Sequence, residues 1–420
     1  MIVKDGAAVL ARCLASAAPF VDRILVGDTG SADGSAAIAR EFGAEVVAIP
    51  WEDDFSRARN RVLAESKCDW ILVLDADEML DASGGAQIRR LLEAPEIFAY
   101  HNPRWNYMRD ASTRLAFQAA RPNPIAIRES QGYPAYVPLP TTRLFRAHPG
   151  VYYEGCVHET VTRRLSALGL ATARADFVVH HFGHAEDADA ERQRKNDLYQ
   201  ALGEKKLQAN GDDAQAYIEM GLAELENSRR PAVALAHFER ACALSPQSAV
   251  GWLFAGACLV RLMKLPEALQ RLDRAAGLGL RNAVYYQTLG DAHFHAGRYA
   301  EASSAYAQVA ALGEASPLSE AKLGACEVHV GSVRQGIGRM QRAVTNAPEF
   351  GELYDMLAAG ALLGGDIELA ARTSEARLRL GHLTEFHVQL AALVQSQLKR
   401  QQSPQAPSGE YREISTPGPS

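Results

Sequence analysis

The chain has few of the features that mark the simplest functional classes. Its 420 residues include six cysteines, and Cys13, Cys68, Cys156, Cys242, Cys258 and Cys326 form no Cys-x-x-Cys pair. Neither a zinc knuckle nor the disulfide framework of a small secreted domain is indicated, and the thiols read as buried and reduced. No apolar run approaches the roughly 18 residues of a membrane span, and MIVKDGAAVLARCL lacks a basic leader followed by a long apolar stretch. A transmembrane segment and a secretory signal are therefore not expected, and a cytoplasmic location is. A basic excess is also missing: 44 Lys+Arg face 50 Asp+Glu, for a net charge of -6. Nucleic acid is not an expected partner, because binding a phosphate backbone needs that excess. What remains is a chain of 47% apolar and 22% charged residues, a globular composition, long enough for two or three domains at about 150 residues each.

Residues 1 to about 105 alternate short β-branched runs with amphipathic stretches, which predicts a parallel sheet flanked by helices. Strands are expected at 1–4, 22–27, 44–49 and 70–75. AVLARCLASA, SADGSAAIAREF and SRARNRVLAES form helices between them, with Ser31 and Ser56 as N-caps. From 105 to 185 Pro122, Pro124, Pro134, Pro138 and Pro140 suggest loops, while TTRLFR and DFVVHHF read as strands. Beyond residue 210 the sequence repeats. Gly256, Gly290 and Gly324 are 34 apart, as are Trp252, Tyr286, Glu320 and Tyr354. Ala268, Ala302 and Ala370 keep that register with Gly336 filling the missing turn, and Ala241, Ala275 and Ala343 do so too. A helix pair per unit, with small residues where the helices touch, resembles the tetratricopeptide repeat. The expected division is an α/β domain at 1–208, an all-α solenoid of five repeats and a final helix at 214–400, and a Pro/Ser-rich disordered tail at 401–420.

Ligands bind a doubly wound sheet outside the carboxyl ends of its strands. Strand one ends in Lys4-Asp5, strand two in Asp28, and strand four in Asp75-Ala76-Asp77, which together make an acidic rim. Asp-x-Asp after an apolar strand presents two carboxylates around one turn, suited to a hard divalent cation shared with diphosphate oxygens. Mg²⁺ or Mn²⁺ is implied. Two structural alternatives stay open at this point: Asp28 starting a βα turn, and Asp75 capping the next helix.

The string MIVK...FVDRILVGDTGSADGS...WEDDFSRARN...DWILVLDADE resembles the family 2 glycosyltransferases. The similarity is closest to the branch with C-terminal tetratricopeptide repeats, which has lipopolysaccharide-core glucosyltransferase-like and SunS-like members. That resemblance implies a GT-A fold and a nucleotide-sugar donor, most often a UDP-sugar. By it Asp28 contacts the base, Arg59 lies near the nucleotide, Asp75 faces the ribose, Asp77 holds the metal and Lys4 joins the donor set; Trp51, Asp53 and Asp54 are drawn toward the donor pocket. The family usually reads MIVKNE where this chain has MIVKDG, and its first strand starts earlier, which implies either that the start lies elsewhere or that the first strand here is short and weakly anchored at the sheet edge.

RLFRAHPGVYYEGCVHETV resembles a second family segment with an acid on the acceptor side, which makes Glu159 the candidate general base. A helix-terminal role for Glu159 is the alternative. His181-Phe182-Gly183 resembles the family's late His-x-Gly, adding His181 and, less directly, His158 to the metal set with Asp77 and Asp75. The expected function is metal-dependent, inverting transfer of a sugar to a saccharide, lipid-linked glycan or peptide, with the repeats holding a protein partner or a second copy. An interaction scaffold with a degenerate transferase domain is the competing reading. A phosphatase of the haloacid dehalogenase type is disfavoured, because it needs its Asp pair after the first strand.

Overall fold

The computed structural model describes residues 1–109, 114–115, 118–155, 159–186, 194, 197–198, 200–205, 207, 213–225, 230–381 and 385–402. Of the expectations above, His158, Cys156 and tail residues 403–420 lie outside them.

The N-terminal half is an α/β domain. Strands Ile2–Val3, Leu25–Asp28 and Glu45–Ala48 form a parallel sheet in that order, so the two-residue first strand lies at an edge. Helices Ala7–Ala17, Ser35–Glu41 and Phe55–Ala64 follow the strands in turn. Leu10, Leu14, Val26 and Ala39 close the core beneath them, all almost completely buried. The caps differ from expectation. Asp54, not Ser56, caps its helix by accepting from Arg57 N at 3.0 Å, and Ser56 Oγ donates to the same carboxylate at 2.6 Å. Ser31 caps nothing; its Oγ accepts from Asp5 N at 3.0 Å and ties two βα turns together.

The fourth strand is a correction. Trp70–Leu72 does not extend the parallel sheet but pairs antiparallel with Ala135–Arg146 in a second, mixed sheet. That sheet is built on the long antiparallel pair Ala99–Met108 and Ala135–Arg146; Val179–His181 lies on the other side of Ala99–Met108, followed by Glu78–Leu80. Pro138 and Pro140, expected in a loop, sit inside the twelve-residue strand. They fall between the stretches of that strand paired to Arg121–Pro122 and to Trp70–Leu72. A residue without an N–H costs a strand little where one side has no partner.

The second half is an all-α tetratricopeptide-type solenoid: five consecutive helix pairs from Ala214–Ala223 through Ile367–Arg379, then Glu385–Gln402. The glycine column marks close helix approach. A Cβ on Gly290 would lie 2.6 Å from Tyr306 Cε1, and one on Gly324 would lie 2.7 Å from the Gly336 carbonyl oxygen. Ala241, Ala268, Ala275, Ala302 and Ala370 are fully buried. The solenoid is not a free appendage. Met108, Ala135 and Val137, at one end of the long strand pair, share a core with Leu318, Ala321, Phe350 and Leu353 of the repeats. Arg121 also pairs with Glu314 at 3.1 Å. Among the described residues no helix is long and apolar enough to cross a membrane. Cys13, Cys242, Cys258 and Cys326 are buried free thiols, and Cys68 is half-buried.

His180 shows how tightly the mixed sheet closes. Its side chain is 1% exposed, its Nδ1 lies 2.8 Å from Tyr107 Oη, and its ring stacks on Tyr107. Burial pushes its pKa down to about 4. The unfolded chain takes up this proton below about pH 6.5 while the fold refuses it until about 4, so the stability contribution is complete above pH 6.5 and is lost on the way down. The expected outcome is a melting temperature that falls between pH 6.5 and 4.5, with a shallower slope in His180→Phe. Identical slopes in wild type and variant would show that His180 does not set the effect.

Candidate active site

The Asp75–Glu78 turn is closed from both sides. Glu78 N donates to the Asp75 carbonyl at 3.0 Å, and Asp75 N donates back to Glu78 Oε2 at 3.0 Å. Asp75 does not cap the following helix, because Asp81 does so by accepting from Gly84 N at 2.7 Å. Both Asp75 oxygens accept from arginines instead: Oδ1 from Arg59 Nη2 at 2.5 Å and Oδ2 from Arg143 Nη2 at 2.7 Å. Arg143 Nη2 also pairs with Glu78 Oε1, which Arg104 Nη1 approaches at 3.4 Å. Arg59 Nε donates to Glu159 Oε1 at 2.5 Å. Three guanidiniums thus meet three carboxylates in one neutral cluster.

The burial is severe: Glu78 is fully enclosed, and the Arg59 and Arg143 side chains are about nine-tenths so. Burial alone would raise the Asp75 pKa, but the charges of Arg143 and Arg59 outweigh it and hold the carboxyl well below the usual range. The two arginines are held protonated by the same attractions, against their own desolvation. Arg59 Nη1 is buried with no hydrogen-bond partner among the described residues.

Asp77 points elsewhere. Its Oδ2 lies 3.4 Å from His181 Nε2, at the end of strand Val179–His181. His181 Nδ1 is 2.8 Å from Asn106 Oδ1, and the Asn106 amide is oriented by its own donations to the Val137 carbonyl at 2.9 Å and the Arg104 carbonyl at 3.2 Å. Asn106 can only accept from the imidazole, so Nδ1 carries a proton. Nε2 then faces the carboxylate either as an imidazolium N–H or as a lone pair, and the second arrangement is the one a metal ligand adopts. Gly183 leaves the pair its space: a Cβ there would collide with Asp77 Oδ2 and lie 3.0 Å from His181 Nε2. Asp75 does not join them. No group of three or more His, Cys, Asp or Glu able to hold a cation forms among the described residues. Of the residues expected to hold a metal, the structure brings Asp77 and His181 together, while both oxygens of Asp75 are taken by arginines.

Residues 1–148 match the glycosyl transferase family 2 profile. The N-terminal domain is thus similar to that family over those residues. A tetratricopeptide-repeat-containing protein of Synechococcus elongatus is 36% identical over 228 residues, 53% of this chain and 50% of that one. An uncharacterized glycosyltransferase of Rickettsia felis is 38% identical over 104 residues, 24% of this chain and 34% of that protein. The prophage-derived glycosyltransferase SunS of Bacillus subtilis is 24% identical over 161 residues, 38% of this chain and 33% of SunS. The matched stretch spans half or less of each relative.

Other residues singled out in the glycosyltransferase domain are placed as follows. Asp28 starts its turn by accepting from Ser31 N at 3.1 Å through one oxygen. Lys4 is exposed beside it. The helix Ala7–Ala17 connects this turn to the Asp75 turn: Ala7 N donates to Asp33 at 2.9 Å, and Cys13 Sγ donates to the Asp75 carbonyl at 3.2 Å. Asp54 caps a helix, Asp53 pairs with Lys205, and Trp51 packs against Phe55 and Leu202. Glu159 precedes helix Thr162–Ala167 rather than opening it, so Arg59 and not a helix terminus accounts for its placement. Away from the charged cluster, the repeats line a groove of about 1250 Å³ whose wall includes Arg109 and Pro134 of the first domain.

Sequence reasoning missed Glu78, Arg143, Arg104 and Asn106. The first follows the Asp-Ala-Asp directly and the second lies in TTRLFR, yet a charged residue in a strand reads as solvent-facing unless its partner is known. Breaking a buried pair leaves an uncompensated charge, so Arg143→Met is expected to destabilise by about 3–5 kcal/mol in chemical denaturation, with Arg143→Lys losing less. A loss below about 1 kcal/mol, the value for an exposed pair, would show that Glu78 is not held in this way.

Proposed function

We propose that this protein transfers a sugar from a nucleotide diphosphate sugar, taken first to be a UDP-sugar, to an acceptor nucleophile with inversion at the anomeric carbon. The observation that carries the reading is the Asp77–His181 pair, with its oriented imidazole and the clearance left by Gly183. Two protein ligands suit Mn²⁺ or Mg²⁺ in a site completed by diphosphate oxygens and water, since Mg²⁺ in particular uses few carboxylates and keeps several such ligands. When bound, the cation would offset negative charge on the departing nucleotide.

The chain's own residues supply the rest. Asp28 would recognise the base through the oxygen its turn leaves over, with Lys4 at the same rim. Asp75, fixed by two arginines, would accept from the ribose. Arg59 Nη1, a buried NH2 group without a partner among the described residues, would be directed at the nucleotide. Glu159 would take the acceptor proton: Arg59 fixes Oε1, while Oε2 makes no hydrogen bond among the described residues. The balanced charges of the cluster support an enzyme over a degenerate scaffold, because a buried guanidinium or carboxylate is costly once its partner is lost. The saccharide, lipid-linked glycan or peptide acceptor would lie between this site and the repeats, whose groove can also hold a protein partner or a second copy.

Two variants separate the roles. Asp77→Asn is expected to lose Mn²⁺-dependent UDP binding and at least about a thousandfold in donor turnover, roughly 4 kcal/mol of barrier. Unchanged turnover in excess EDTA would contradict the metal. Glu159→Gln is expected to bind UDP as the wild type does while transfer drops about two to four decades, read by comparing calorimetric binding with product formation. A turnover equal to wild type would remove the role from Glu159.

A further inference from the structure

The buried cluster contains one carboxylate to which no part of the proposed chemistry assigns a task. Glu78 has no exposed surface, yet it contacts both the main chain of the Asp75–Asp77 turn and the arginine that holds Asp75. Its Oε2 accepts from Asp75 N, while its Oε1 takes Arg143 Nη2 and lies 3.4 Å from Arg104 Nη1. Arg143 Nη2 in turn bridges Glu78 and Asp75. A single carboxylate therefore sets the backbone of the turn and the side-chain direction of its first aspartate. Arg104 and Arg143 come from neighbouring strands, Ala99–Met108 and Ala135–Arg146, and Glu78 opens a third strand of the same sheet. The sheet thereby fixes where Glu78 lies, and Glu78 fixes the turn.

The consequence falls on Asp77. With Asp75 turned into the arginines and the chain closed at Glu78, the second aspartate is the one left facing His181. We propose that Glu78 is the positioning residue of the site: it holds the Asp75–Asp77 turn so that Asp75 is committed to Arg59 and Arg143 while Asp77 faces the cation side. This rests on the metal reading given above and adds a residue that touches neither donor nor cation. Its geometric demand is specific. The carboxylate must reach Asp75 N and Arg143 together, which a side chain one methylene shorter does not do from the same backbone position.

The test uses the full chain with Mn²⁺ alone, followed by the electron paramagnetic resonance of the free aqueous ion, and with Mn²⁺ plus UDP by calorimetry. Glu78→Gln and Glu78→Asp are both expected to weaken Mn²⁺ binding by at least about tenfold, the lower end of what outer-shell partners of metal ligands contribute. Failure of the charge-retaining Asp variant to rescue separates positioning from a purely electrostatic effect. Glu78→Gln leaves Arg143 short of a partner and is expected to melt lower, so E78Q/R143M is the second arm. Removing both charges is expected to recover most of the melting temperature without recovering Mn²⁺ affinity. Wild-type Mn²⁺ affinity in the double variant, or full rescue by Glu78→Asp, overturns the proposal while leaving the metal reading intact. No Mn²⁺ binding by the wild-type protein, with or without UDP, overturns that reading and this proposal with it.

Discussion

The constraint on which the site depends is the cost of burying charge. Arg59, Arg143 and Arg104 are drawn from a helix and two strands distant in sequence, and Asp75, Glu78 and Glu159 from the Asp-Ala-Asp turn, the start of the strand after it and the segment before Thr162–Ala167. None of these groups is stable in that enclosure alone, so each fixes the position of the others. The cluster joins the Asp-Ala-Asp turn, the arginine of the third helix and the acid before Thr162–Ala167 into a single body. Asp75 and Glu159, proposed above for the donor and acceptor sides, are therefore linked through one guanidinium, Arg59, whose Nε holds Glu159 and whose Nη2 holds Asp75. A change at any of the six positions should be felt at the others, which is the condition under which single-mutant effects stop adding.

The same sheet that anchors this cluster reaches the solenoid. Arg143 lies toward one end of Ala135–Arg146, while Ala135 and Val137 at the other end are buried against the repeats. Antiparallel pairing with Ala99–Met108 runs between those ends, with a shift of register between Thr142 and Leu144 that falls at Arg143. The groove of the repeats and the charged cluster are thus attached to one strand pair. The glycine and alanine columns that let repeat helices approach closely, and the prolines accepted on a strand stretch paired on one side, are both matters of local geometry. What places the solenoid against the sheet is the core that Met108, Ala135 and Val137 share with Leu318, Ala321, Phe350 and Leu353.

Much of this was legible in the sequence where a period or a strand end carried it. The 34-residue spacing of Gly256, Gly290 and Gly324 predicted the helix pairs, because close packing needs small residues at a fixed interval. The rule that ligands gather at strand ends pointed to Asp28 and Asp75–Asp77. What could not be read was which partner each charge would choose. Asp75 and Asp77 are equivalent as letters, and only the arrival of Arg143 from 68 positions away separates them. The same holds for Glu159, explained equally well by a helix terminus until Arg59 appears beside it, and for Trp70–Leu72, whose partner TTRLFR read as a strand but not as its neighbour. Glu78 sat in plain view after the Asp-Ala-Asp, but its burial is a tertiary fact.

The central claim is that Asp77 and His181 hold a divalent cation together with the diphosphate of a nucleotide. Pulsed electron paramagnetic resonance of Mn²⁺ bound to the full chain in the presence of UDP tests it directly. The account predicts a ¹⁴N modulation from the histidine, absent in His181→Ala, together with ³¹P coupling from the diphosphate. A bound Mn²⁺ that shows ³¹P coupling but no histidine nitrogen, or neither signal, would contradict it.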